Sequence, residues 1–121
     1  MARIEPFKVL TQRDMEVFMQ ALCRFLQKTE SLLISLEATH QHLAHGGALP
    51  LPLSAVIKTL EDGADELKLE IEAMETATQA FLGETRQPTE SVPVYVLRIS
   101  LIINDPELLN NCLRRNNRVL V

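Results

Sequence analysis

Residues 11–83 carry two apolar seams at heptad spacing, and this repeat constrains the fold more than anything else in the chain. The first runs Met15, Met19, Leu22, Leu26, Thr29, Leu33, Leu36, His40, Leu43, with steps alternating between four and three. The second runs Leu53, Val56 or Ile57, Leu60, Ala64, Leu67, Ile71, Met74, Thr78, Phe81, and with Ile57 it keeps the same alternation. That period keeps one face of a helix turned toward a neighbour. Two equal seams joined by a short connection predict a long antiparallel helical hairpin over about 12–45 and 53–82. Zipped from the connection, Leu33 meets Ala64, Thr29 meets Leu67 and Met15 meets Phe81.

The ends of both helices are marked. Thr11 with Asp14 three residues on forms a capping box, and Leu10 before the cap has the spacing of a hydrophobic staple with Met15. Gly46-Gly47 and Gly83 stand where a helix closes through the left-handed conformation. Between the helices, residues 48–53 (ALPLPL) hold two prolines that prevent the first helix from continuing. Their leucines suit a cap over the end of the core. Gly63 interrupts the second helix, either as a weak point costing about 1 kcal/mol or as a place of close helix approach.

Beside the first seam lies a second stripe, Phe18, Phe25 and Leu32, at steps of seven. Two helices alone bury only a seam, so this stripe needs a cover. The segment 92–103 (VPVYVLRISLII) is the apolar candidate for it. Half of its residues are β-branched, which suits a strand, but the chain offers no second strand to pair with it. As a helix it starts at Ser91 with Pro93 in the first turn, and Val94, Leu97, Leu101 and Ile102 share a face. Helix is favoured, with strand as the alternative. Asn104-Asp105-Pro106 then opens a last short helix, and the chain closes on an apolar Val-Leu-Val that either docks or is an artificial addition.

The expectation is an all-α, bundle-like single helical domain over 1–121. It comprises an N-terminal arm (1–10), the hairpin (11–83), a loop (84–91) and a C-terminal covering segment (92–121). Of the 121 residues, 46% are hydrophobic and 23% charged, which is ordinary globular composition. Cys23 and Cys112 have no CxxC partner and read as reduced thiols. With no apolar leader and no run near the ~20 residues that span a bilayer, the expected location is cytoplasmic, with no membrane partner.

Three functional readings follow. The first is a non-catalytic protein-protein interaction or assembly protein, homo-oligomeric or a subunit of a larger assembly. It would work through an apolar face of Phe18, Phe25, Leu32, Leu97 and Leu101. The second is a small regulatory nucleic-acid binder using Arg114, Arg115 and Arg118. A net charge of −4 and the scarcity of aromatic rings oppose it. The third is a metal-binding bundle built on Glu37, His40 and Glu61, because Glu-x-x-His places a carboxylate and an imidazole on one helix face. His42 and His45 also share a helix face and read as solvated side chains. No phosphate loop and no nucleophile-base spacing is present, so no enzyme activity and no cofactor are expected.

Overall fold

The computed structural model describes residues 7–46 and 52–121. Four helices dominate: α1 (Gln12–Ala44), α2 (Leu53–Leu82), α3 (Val92–Ile103) and α4 (Pro106–Arg115). Two short strands, β1 (Lys8–Leu10) and β2 (Arg118–Leu120), bracket them. The all-α, bundle-like expectation holds, and both hairpin helices have the bounds read from their caps. Gly47 and residues 48–51 of the connection lie outside the described residues, as does most of the N-terminal arm.

The chain divides into two units. One comprises Met1–Gln20 with Met74–Val121; the other is Ala21–Ala73. Both long helices run through the boundary, and each unit has its own packing.

In the first unit the capping box at Thr11 is closed. The Thr11 N–H donates to Asp14 Oδ2 at 2.7 Å and the Asp14 N–H to Thr11 Oγ1 at 3.3 Å. The core holds Leu10, Phe18, Met74, Phe81, Leu82, Tyr95, Ile99, Cys112 and Leu113. Phe18 and Phe81 stack with centroids 5.1 Å apart. Segment 92–103 is a helix, capped by the Ser91 hydroxyl and entered through Pro93, so the strand alternative is overturned. Its packing face also differs from expectation. Tyr95 and Ile99 point inward, while Val94, Leu97 and Leu101 face solvent. A helix apolar on every side leaves the sequence no means of ranking its faces. The larger Tyr95 buries more surface, and its hydroxyl reaches the Glu84 carbonyl at 3.4 Å. Asp105 caps α4 by accepting from the Glu107 and Leu108 N–H groups, with Pro106 in the first turn.

The apolar end of the chain docks. β2 pairs in parallel with β1, Val9 opposite Val119, after a turn through Asn117 at φ 56°. The expectation that the chain has no pair of strands is thereby corrected. Each strand is three residues long, too short to leave a periodic signal.

In the second unit α1 and α2 run antiparallel, with Lys28 bonded to Glu66 and Leu32 against Gly63. A Cβ added at Gly63 would stand 3.1 Å from Leu32 Cδ1, so the two helices approach closely at this glycine without requiring it. That contact is with the free end of a half-buried side chain able to swing aside. Gly63→Ala is therefore expected to stabilise the protein slightly, by about 0.5 kcal/mol of the ~1 kcal/mol that alanine gains in a helix interior. Chemical denaturation measures it.

The seam of α1 is the main correction to the hairpin. Phe18, Ala21, Leu22 and Phe25 are buried and Thr29 and Leu32 half-buried. Met15, Met19, Leu26, Leu33, Leu36 and Leu43 are exposed. The inward face of α1 is the phenylalanine stripe together with Leu22 and Thr29 of the expected seam, while the other methionines and leucines of that seam turn outward. Burying aromatic rings removes more apolar surface from water than burying flexible methionines.

Candidate functional site

The residues singled out by sequence fall into three groups. Glu37, His40 and Glu61 are all exposed, and among the described residues no group of three His, Cys, Asp or Glu is placed to hold a metal. His42 and His45 border a shallow surface hollow of about 240 Å³ with Ala38 and Gln41.

The three arginines are not equivalent. Arg115 donates to Glu84. Arg118 donates to the carbonyls of Gln79 at 2.8 Å, Ala80 at 3.4 Å and Asn116 at 2.7 Å. Lys8 Nζ adds a 2.8 Å bond to the Ala80 carbonyl, and Asn116 Nδ2 a 2.9 Å bond to that of Leu82. Three of the last carbonyls of α2, those of Gln79, Ala80 and Leu82, thus accept from side chains at both ends of the chain. Only Arg114 is exposed with no ion pair among the described residues. Of the three expected phosphate ligands, Arg118 is consumed as a helix-end donor and Arg115 by the Glu84 carboxylate.

Around Glu84 these contacts join a closed polar network. Glu84 Oε1 accepts from Arg115, from Asn116 Nδ2 at 3.1 Å and from the Cys112 thiol at 3.4 Å. Oε2 accepts from Arg98 Nη1 at 2.9 Å. Arg98 also makes a two-pronged bond to Glu90, at 2.8 and 2.9 Å, and lies over the Tyr95 ring. Burial pushes the Glu84 carboxyl upward. Hydrogen bonds from Arg115, Asn116, Cys112 and Arg98 outweigh it and bring the group down to about 2. Burial, reinforced by Glu84, pushes the Cys112 thiol up, so it stays protonated and unreactive. Sequence reading missed this network. Its one local sign was a lone glutamate directly after the helix-closing Gly83.

The apolar candidates divide. Phe18 and Phe25, expected on an interaction face, are buried within the chain, and Leu32 is half-buried against Gly63. Leu97 (60% exposed) and Leu101 (59%) are presented to solvent on α3.

A more extensive apolar face lies in the second unit, and sequence reading had assigned it to the interior. Leu26, Leu33 (56% exposed), Leu36 and Leu43 (60%) project from α1, and Ile57 projects from α2. From Leu26 to Ala73 no described residue is fully buried. The hollow between the helices, about 230 Å³, is lined mainly by polar side chains such as Lys28, Ser31, Ser35, Thr59 and Asp62.

No helix among the described residues is long and apolar enough to cross a membrane. Compared with protein families, curated proteins and solved structures, the chain finds no match.

Proposed function

We propose that this protein is a non-catalytic helical interaction protein whose working surface is the open face of the hairpin arm. The observation that carries this reading is the row Leu26, Leu33, Leu36, Leu43 on α1 together with Ile57 on α2. Five roughly half-exposed aliphatic side chains amount to on the order of 500 Å² of apolar surface, the scale at which a patch marks a binding site. Their heptad spacing fits an incoming helix, whose side chains would seat between them and complete a bundle. Leu97 and Leu101 provide a second, smaller apolar face on α3. The polar cluster supports the same reading, because its donors and acceptors are spent on one another. Free thiols at Cys23 and Cys112 accord with the reducing cytoplasm as its location.

Sedimentation and light scattering over a range of concentrations, combined with binding of an apolar fluorescent dye, test the proposal. Association or strong dye binding is expected, with either signal falling severalfold in Leu33→Gln/Leu36→Gln while helical circular dichroism is kept. A monomer that binds no dye, unchanged by the substitutions, would sink it.

A further inference from the structure

The open face of the arm has a definite electrostatic setting. Within residues 21–73 the cations are Arg24, Lys28, Lys58 and Lys68, against Glu30, Glu37, Glu61, Asp62, Asp65, Glu66, Glu70 and Glu72. Lys28 is bonded to Glu66 and Lys58 lies 3.7 Å from Asp62, so two of the four cations are engaged locally. Along α1, Glu30 stands between Leu26 and Leu33, and Glu37 one turn further on; 26, 30, 33 and 37 share one helix face. On α2, Glu61 follows Ile57 by one turn, with Asp65 after it and Lys68 as the one cation beyond. All of these rim side chains are exposed.

An apolar stripe edged by carboxylates selects its occupant by charge. Two copies of this arm, each with eight acidic and four basic residues, would bring like charges together. A helix with leucine-type anchors at i, i+3, i+4 and i+7 and lysine or arginine on its flanks would cover the apolar row and neutralise the rim. We infer that the arm receives a basic amphipathic helix from another protein rather than a second copy of itself. This rests on the interaction reading above and deepens it by naming the chemistry of the partner.

Three synthetic peptides of about 20 residues, long enough to form a bundle helix on binding, provide the test. The first places Leu at heptad a and d positions and Lys at e and g. The second replaces each Lys with Glu. The third scrambles the first, keeping its charge but losing the stripe. Binding to the full chain is read by calorimetry. The Lys peptide should bind at least tenfold tighter than the other two and weaken with salt. Leu33→Gln/Leu36→Gln should remove most of that affinity. Glu30→Lys/Glu37→Lys should shift preference toward the Glu peptide by tenfold or more.

Equal binding of the Lys and Glu peptides, both lost in the leucine variant, would overturn the basic partner and leave the interaction face standing. So would a dimer formed through this face that the Lys peptide does not displace. Equal binding of the patterned and scrambled Lys peptides would reduce the effect to bulk charge and overturn the inference. If no peptide binds and the protein is an inert monomer, the inference and the interaction reading fall together.

Discussion

Replacing Gly83 with alanine is expected to cost about 3 kcal/mol and to lower the melting temperature by roughly 10 °C. Two costs add. Gly83 closes α2 at φ +76°, and a residue with a Cβ is strained in that conformation by about 1 kcal/mol. The added Cβ would also fall 2.6 Å from Asn116 Cβ and 2.6 Å from Arg118 Nη1. Arg118 could swing away, but only by abandoning the carbonyls of Gln79 and Ala80. Asn116 Cβ is fixed by its backbone, so α4 and β2 would have to shift. Gly46 provides the internal control. It has φ +67°, and a methyl group placed there would meet nothing within 4 Å among the described residues, so Gly46→Ala should cost only the conformational part, about 1 kcal/mol. Thermal and urea unfolding of the two variants separate strain from crowding. Equal losses at the two sites would show that the packing of the chain's ends onto α2 contributes nothing.

That contrast also shows what local sequence can and cannot convey. Helix boundaries were legible because their signals are local. The Thr11 box, Ser91 before Pro93, Asp105 before Pro106, and the closing glycines each act on backbone groups within one turn. Which stripe of α1 turns inward was not legible. The Phe18/Phe25 row and the Leu26/Leu33 row have the same period and differ by one position, so periodicity cannot rank them. The choice depends on partners such as Phe81 that are distant in sequence. The faces of α3 were ambiguous for a related reason, because apolar residues surround that helix. The pairing of β1 with β2 joins opposite ends of the chain through three residues each, leaving no hairpin turn to read. The arginines read as a basic cluster, but Arg118 binds main-chain carbonyls, which leave no mark in the sequence, and Arg115 binds Glu84, thirty-one residues away. Of the expected interaction residues, Leu97 and Leu101 are exposed while Phe18 and Phe25 are buried. The open row on α1 was visible throughout and had been assigned to the interior, because a heptad pattern shows that a stripe wants a partner without saying whether the partner belongs to the same chain.

Neutralising Glu84 is expected to have the second large effect, one that changes with pH. The carboxylate sits at about 2 in the folded protein, against an ordinary value of 4.5. The unfolded chain therefore binds this proton more readily than the native state does. Its stabilisation is fully present above about pH 4.5 and is lost as pH falls from there toward about 2. Partial contact with water limits the gain to about 2 kcal/mol. Glu90, held below its usual range chiefly by hydrogen bonds from Arg98, is lost over the same acid limb. Glu84→Gln keeps the shape but leaves Arg98 and Arg115 without a charged partner at this position. Arg98 still has Glu90 and the Thr85 carbonyl at 2.9 Å, so the damage should centre on Arg115, Asn116 and Cys112. The variant should lose about 2 kcal/mol at pH 7 and show a flatter decline between pH 5 and about 2, the two curves converging at the acid end. Urea unfolding at a series of pH values follows both curves. Parallel curves would mean that the carboxylate is not the acid-sensitive group. Cys112 provides a local readout: losing Glu84 removes the second cause of its raised titration, so alkylation of its thiol should quicken in the variant as this contact loosens.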